Sequence, residues 1–313
     1  MDLFKDLSTD TWLYIIFLSI LIISLIIDFG IYRKPIAMSY KSAALQSFCW
    51  VCIALSFGIL IYLKEGKEIA LQYVSAYLME YTLSIDNIFV FVLILTYFKV
   101  SDKYYHKVLF YGIMGAVIFR TIFILLGMMI VEEFSWILYI FGLLLIYTGY
   151  KILMSGQEPE VHPDKNPVYK LMKKYFNILP EEGEGKFIIH RDGKKYYSIL
   201  FLVVGVLAST DLVFAIDSIP AAFAVSQHKL VVLTSNIFAV MGLRAMFYLL
   251  MGAVNKFDYL QQGISFVLMF IGIKMLIGIM DWHIPTEMSL LIIIVMLGSS
   301  ILLSVLKNSD KKN

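Results

Sequence analysis

The sequence predicts an all-α polytopic membrane protein with nine transmembrane helices. Composition is the first indication, because 60% of the 313 residues are hydrophobic and only 16% are charged. A soluble domain has about 45–50% apolar and about 25% charged residues. The second indication is a series of apolar runs that are long enough to cross a bilayer. They lie near 12–30, 42–63, 69–98, 108–131, 134–153, 198–226, 229–252, 258–280 and 286–306.

The distribution of basic residues predicts the orientation of these spans. Loops on the side of the N-terminus carry four lysines, whereas loops and tail on the other side carry 18 Lys and Arg residues. Because cytoplasmic loops are enriched in Lys and Arg, we expect the N-terminus outside and the C-terminus in the cytoplasm. The start of the chain lacks a basic region and a small-residue cleavage site, so span 1 is expected to be retained.

The two cysteines of the chain, Cys49 and Cys52, both lie in span 2. A C-x-x-C spacing can indicate thiol redox chemistry. A membrane electron relay would need further thiols, and the sequence contains none. The pattern therefore favours two small side chains packed inside the helix bundle.

Spans 3–5 and spans 6–8 are two copies of one unit. Three landmarks recur in the same order at similar spacing in both copies, and each unit holds three spans. An odd number of spans inverts the second copy, an arrangement typical of secondary transporters with a site near the midplane. The landmarks are the acidic pairs Glu80…Asp86 and Asp211…Asp217, the arginines Arg120 and Arg244, and the motifs that begin at Gly149 and Gly272.

The predicted domain organisation follows from this repeat. Spans 1, 2 and 9 lie outside it and serve as scaffold or as contacts between copies. The cytoplasmic loop is expected to hold a short helix opened by Pro167 and a hairpin on an Asp-Gly turn. This loop is either a gate or a plain linker. The segments are 1–66 (two N-terminal helices), 67–153 (first repeat), 154–197 (cytoplasmic loop), 198–281 (second repeat) and 282–313 (last helix and tail).

The acidic pairs are the candidate functional residues, because a carboxylate at the bilayer centre costs about 2.5–3.5 kcal/mol on insertion scales. Helical periodicity places Glu80, Ser84 and Asn87 on one stripe, and Asp211 with Ser218 on the equivalent stripe. A second stripe carries Asp86 in span 3 and Thr210 with Asp217 in span 6.

For the two stripes to act together, the helices must break. Pro220 supplies a break in span 6, because it removes a backbone hydrogen bond and frees carbonyls in the turn of Asp217. A break near Asp86 is inferred from the repeat alone.

These stripes offer only oxygen donors, which favour Mg²⁺, Ca²⁺ or Mn²⁺ over Zn²⁺ or Cu⁺. None of the five histidines lies in the middle of a span. The chemistry therefore indicates a hard divalent cation or a proton. Arg120 and Arg244 either neutralise the acids until a cation binds or are permanent structural partners of the acids.

Four segments carry a family resemblance: 81–90 with Asp86, 214–221 with Asp217, 233–239 and 242–246. They resemble the TerC family of membrane proteins, and its Alx-type members in particular. The resemblance implies Mn²⁺ efflux across the bacterial cytoplasmic membrane, with Glu80, Asp86, Asn87, Asp211, Asp217 and Ser218 as metal ligands and Ser84, Thr210, Arg120 and Arg244 in support. The resemblance also implies a Glu at the position where this chain has Ala208, so that the site here would hold one carboxylate fewer.

The expected function is a secondary transporter that exports divalent cations, and neither enzyme activity nor a cofactor is expected. No ATP-binding P-loop motif is present, so coupling to protons or to membrane potential is expected. The expected partners are the metal ion as substrate, the bilayer and further copies of the chain, but no nucleic acid. One alternative is a membrane chaperone or signalling protein with structural ion pairs. Another is an intramembrane aspartyl protease, although neither Asp86 nor Asp217 has the Gly-x-Gly-Asp pattern.

Overall fold

The computed structural model describes residues 9–31, 39–134, 136–155, 166–191, 193–251, 259–279 and 284–310. A helix lies at each of the nine predicted spans, and a short helix and a hairpin lie in the predicted loop. The elements are α1 (Thr9–Ile31), α2 (Tyr40–Glu65), α3 (Lys67–Tyr97), α4 (Asp102–Glu133), α5 (Ile137–Ser155), α6 (Pro167–Tyr175), β1 (Ile188–Arg191), β2 (Lys194–Tyr197), α7 (Ile199–Val225), α8 (Lys229–Met251), α9 (Leu260–Ile279) and α10 (Thr286–Asp310).

Several of these helices have the length and composition of membrane spans. Within the described residues, five qualify, or six when α7 is counted across its bend. The bend lies between Ile199–Ala215 and Ser218–Val225, whose axes differ by 42°. Pro220 lies inside this helix, so the predicted cause of a break is present at the bend. The all-α membrane fold is thus supported, whereas nine crossings stay a prediction.

Helix α8 lies at the centre of the bundle, because nearly all its side chains from Leu230 to Phe247 are buried. It packs against α3 on one side and α4 on another, while α7 packs mainly on α4 and α5 mainly on α9. Helices α1 and α2 dock onto α8 through aromatic rings: Phe238 lies 5.3 Å from both Phe17 and Phe57. These contacts bring α3, α4, α7 and α8 together around one interior region.

The prediction that the cysteines pack inside the bundle is wrong, because Cys49 and Cys52 are both exposed. The buried stripe of α2 includes Trp50, Ala54 and Phe57, which follow the helical period of three to four residues. The cysteines lie off this stripe and so face outwards. Apolar character alone could not distinguish the two faces of a helix that is apolar all round.

The helix ends are fastened by polar contacts. The starts of α3 and α10 meet through Lys67 and Glu287 at 3.0 Å, and the start of α8 meets the end of α4 through Lys229 and Glu132 at 2.8 Å. At the start of α4, the backbone amide and hydroxyl of Ser101 donate to Glu182 at 2.6 and 2.8 Å. The loop that carries Glu182 is therefore attached to the end of the bundle where α3 turns into α4.

Candidate functional site

The centre of the site is Arg120 on α4, whose side chain is fully buried. Its Nε donates to Asp211 Oδ2 at 2.7 Å and its Nη2 donates to Asp211 Oδ1 at 3.1 Å. Its Nη1 pairs with the carboxylate of Glu80 on α3. A planar guanidinium matches a carboxylate in this two-point geometry, so Arg120 holds α7 and α3 against α4.

Two uncharged side chains complete the shell around the guanidinium. Nη1 of Arg120 lies within hydrogen-bond distance of Ser218 Oγ, at 3.4 Å, and of Asn236 Oδ1, at 3.3 Å. The Asn236 amide nitrogen donates in turn to the carbonyl of Val232 at 3.2 Å, which fixes the orientation of the amide. Side chains from α3, α4, α7 and α8 thus meet in one buried polar cluster.

The charges of this cluster are unequal. One guanidinium serves two carboxylates, Glu80 and Asp211, and all three side chains are fully buried. In addition, Glu80 Oε2 and Ser84 Oγ are buried without a hydrogen-bond partner among the described residues. A buried charge is costly unless it is paired and hydrogen-bonded. Among the described residues, the cluster therefore holds one more acidic than basic side chain, and these oxygens are left without a donor.

The structure brings together most of the predicted ligands whose side chains it describes. Glu80, Ser84 and Asn87 are all buried along α3, and Asp211 and Ser218 are buried on α7. Glu80, Asp211 and Ser218 contact the same guanidinium.

For two predicted ligands the structure describes no side chain, and one predicted supporting residue faces the loop. The side chains of Asp86 and Asp217 lie outside the described part of the structure. The hydroxyl of Thr210 donates to the Val206 carbonyl at 2.7 Å and accepts from Asn166 at 3.4 Å, so it faces the loop.

The second predicted arginine, Arg244 on α8, is buried and lines a small cavity with Leu25 of α1, Phe110 and Met114 of α4, and Met241 of its own helix. Arg120 therefore carries the observed contacts with Glu80 and Asp211. Pairing of Arg244 with an acid stays a prediction. Among the side chains that the structure describes, no group of three or more His, Cys, Asp or Glu residues could hold a metal ion.

Sequence reasoning missed Asn236 as a site residue. The signal was present, because an amide in the middle of an apolar span is unusual in the same way as a carboxylate. The predicted site contains only charged residues and polar residues on the two helices that carry the acids. Asn236 lies on α8, which carries no acid, so only the three-dimensional contact with Arg120 identifies it.

Comparison with known proteins gives the family of the chain. Residues 65–312 match the profile of the family described as "Integral membrane protein TerC family". The chain belongs to the TerC family. The TerC profile begins at the end of α2 and runs to the end of α10, so it includes every residue of the polar cluster. The exposed cysteines precede it.

Relatives of this TerC chain match over nearly its full length. An uncharacterized membrane protein of Rickettsia felis is 39% identical over 300 residues, which cover 95% of this chain and 98% of the relative. An uncharacterized membrane protein of Myxococcus xanthus is 40% identical over 294 residues, with 93% and 91% covered. A protein of Photorhabdus laumondii named "Putative membrane-bound redox modulator Alx" is 37% identical over 305 residues, with 94% and 95% covered. No solved structure matches the chain.

Proposed function

We propose that this TerC protein is a secondary transporter that exports a divalent cation, Mn²⁺, across the bacterial cytoplasmic membrane. The observation that carries the proposal is the buried contact of Arg120 with both Glu80 and Asp211. A purely structural ion pair needs one acid for each base, whereas a second acid adds a buried charge that several kcal/mol of desolvation oppose. A transported cation, or a proton in its absence, provides the missing compensation.

An inverted repeat, which the proposal requires, has support in the contact between α5 and α9. A Cβ atom on Gly149 would lie 2.7 Å from the Ser265 carbonyl oxygen, and one on Gly272 would lie 2.6 Å from the Gly142 carbonyl oxygen. The repeat aligns Gly149 with Gly272, and hence Gly142 with Ser265. Gly149 of α5 thus meets Ser265 of α9 in the same way that Gly272 of α9 meets Gly142 of α5. Such reciprocal contacts are typical of a two-fold interface.

The directions of the helices agree with the same arrangement. Helix α4 contacts α7 at Gly112 with Leu207 and, further along both helices, at Gly127 with Phe223, so α4 and α7 run parallel. In an inverted repeat of three-span units, both helices start on the cytoplasmic side. The attachment of Glu182, in the predicted cytoplasmic loop, to Ser101 at the start of α4 agrees with this direction.

We infer that Arg120 occupies the place of the cation when no metal is bound. A divalent ion that reaches the cluster would displace the guanidinium from Glu80 and Asp211 and would gain the oxygens of Asn87 and Ser218. Asp86 and Asp217 are the remaining proposed ligands. Carbonyls freed at the bend of α7 would add further oxygen donors, as in transporters with broken helices. Mn²⁺ is the ion of this hard class that the family resemblance implies.

Export against a gradient requires coupling, for which protons or the membrane potential are available. Carboxylates that release the metal can take up protons, which return the cluster to low charge while it reorients. A chaperone or signalling protein in which Arg120 is a permanent structural partner makes the opposite prediction, because it carries no ion.

Reconstituted liposomes test the proposal. Purified protein in vesicles with a metal-quenched dye and a pH dye inside is given Mn²⁺, Ca²⁺, Mg²⁺ or Zn²⁺. We expect Mn²⁺ uptake above that of empty vesicles, with a change of internal pH or a dependence on an imposed membrane potential. Absence of flux for every ion, from protein that is monodisperse in detergent, would favour the structural alternative.

A further inference from the structure

We propose that α6 is the cytoplasmic gate of the ion path and that Asn166, the residue before it, is the latch. This inference rests on the proposed transport function and concerns the route by which the cation reaches the polar cluster. The sequence left open whether the loop is a gate or a linker, and the contacts of α6 favour the gate.

Helix α6 packs on α7 and also contacts the end of α3, the two helices that carry the acids. The ring of Tyr169 lies 5.9 Å from that of Phe98, the residue that caps the end of α3. On the same face of α6, three residues further on, Met172 is buried and lies directly over Gly205 of α7. The close approach depends on Gly205, because a Cβ atom there would meet the sulfur of Met172. A linker that only joined two spans would not need this fit.

Asn166 connects the start of α6 to the turn that precedes Asp211. Its Nδ2 donates to Ser209 Oγ at 3.1 Å and to Thr210 Oγ1 at 3.4 Å. Its Oδ1 accepts from the amide of Val168 at 2.8 Å and so caps α6. Thr210 is the twelfth residue of α7, about 16 Å along the helix at 1.5 Å per residue. The start of α6 therefore lies well along α7, next to the polar cluster.

The rest of the loop is attached separately and more strongly. Glu182 accepts two hydrogen bonds from Ser101, and Lys107 Nζ donates to the Gly185 carbonyl at 2.7 Å. These bonds involve charged groups, whereas Asn166 makes only neutral bonds, which are weaker. The segment from Glu182 to Gly185 can thus stay docked at the start of α4 while α6 leaves α7, which is the property that a gate requires.

The test measures access to the cluster and needs no transported ion. Ser84 is buried on α3, one helical turn after Glu80, and becomes the reporter as Ser84→Cys in a Cys49→Ser, Cys52→Ser background. Inside-out vesicles expose the cytoplasmic face to a membrane-impermeant thiosulfonate. Asn166→Ala should raise the labelling rate about tenfold, the shift in an opening equilibrium that loss of one or two neutral hydrogen bonds gives. Asn177→Ala, an exposed asparagine of the same loop, should leave the rate unchanged.

A crosslink provides the converse variant. Asn166→Cys with Ser209→Cys, oxidised to a disulfide, should suppress labelling from the cytoplasmic face, and reduction should restore it. Labelling from the outer face in right-side-out vesicles should respond to neither change. The gate is refuted if Asn166→Ala leaves the cytoplasmic rate unchanged, or raises both rates equally through general loosening. The labelling experiment measures access and not flux. Failure of the proposed gate can therefore be distinguished from failure of the proposed transport function.

Discussion

The guanidinium of Arg120 donates to both carboxylate oxygens of Asp211, from Nε at 2.7 Å and from Nη2 at 3.1 Å, with both side chains fully buried. This pair joins α4 to α7, and the contact of the same guanidinium with Glu80 adds α3. One side chain therefore supports the packing of three helices and sets the charge of the proposed ion path. Substitutions in the partners of Arg120 should consequently affect the free energy of unfolding and the rate of transport to different degrees.

Removal of Arg120 should be strongly destabilising. Arg120→Met leaves two buried carboxylates without their cation, and a broken buried pair costs about 3–5 kcal/mol. Thermal unfolding in detergent measures the effect. Arg191→Met is the matched control, since Arg191 meets Glu181 at 3.5 Å on the surface and exposed pairs contribute about 0–1 kcal/mol. Equal stability of the two variants would show that the buried contact is not formed.

Loss of the Asn236 amide should reduce stability and slow transport. Asn236→Leu keeps the approximate size but removes the acceptor for Arg120 Nη1, and a hydrogen bond to a charged group contributes about 1.5–3 kcal/mol. Ser235→Ala is the control, because the Ser235 hydroxyl is bonded within its own helix. Thermal unfolding and Mn²⁺ flux are measured for both variants. If Ser235→Ala had the larger effect on flux, Asn236 would not be part of the site.

The crossing of α5 and α9 should tolerate no added side chain. Gly149→Ala would place a methyl group 2.7 Å from the Ser265 carbonyl oxygen, and overpacking costs about 1–3 kcal/mol. A Cβ atom on Gly298 of α10 would have no described neighbouring atom within 4 Å. Gly298→Ala should therefore leave the stability of the protein unchanged or raise it, since alanine favours a helix over glycine by about 1 kcal/mol. The melting temperature should therefore fall for Gly149→Ala and stay unchanged or rise for Gly298→Ala. A stable Gly149→Ala would contradict the close contact.

Cysteine labelling can test the predicted orientation. Gln227, between α7 and α8, and Lys194, in the hairpin, are both exposed. In a background without Cys49 and Cys52, Gln227→Cys should react with an impermeant reagent on intact spheroplasts, and Lys194→Cys only after lysis. Reaction of both cysteines on intact cells would show that a span has been miscounted.

The sequence predicts the positions of the helices well, because length and apolar composition are local properties. It predicts poorly which face of a helix is buried, as Cys49 and Cys52 demonstrate, because a span that is apolar all round has no polar face. Packing of α2 against α8, α3 and α1 distinguishes its sides.

The candidate site, like the fold, could be predicted only in part from the sequence. Glu80 and Asp211 could be identified because charge in an apolar span is rare, and Ser218 because helical periodicity places it on the stripe of Asp211. The convergence of Asp211 and Glu80 on one arginine could not be derived, since it depends on how α3, α4 and α7 pack. Asn236 joins them from a helix without an acid.

The most direct test of the central claim is Mn²⁺ flux into liposomes that contain Glu80→Gln protein. Glu80 and Arg120 are fully buried partners, and the amide keeps the size of the side chain while removing its charge. Glu287→Gln is the control, because Glu287 is an exposed acid in a surface pair with Lys67. The proposed site predicts that Glu80→Gln lowers flux at least about tenfold, equivalent to about 1.4 kcal/mol, while Glu287→Gln transports normally. Undiminished flux through folded Glu80→Gln protein would contradict it.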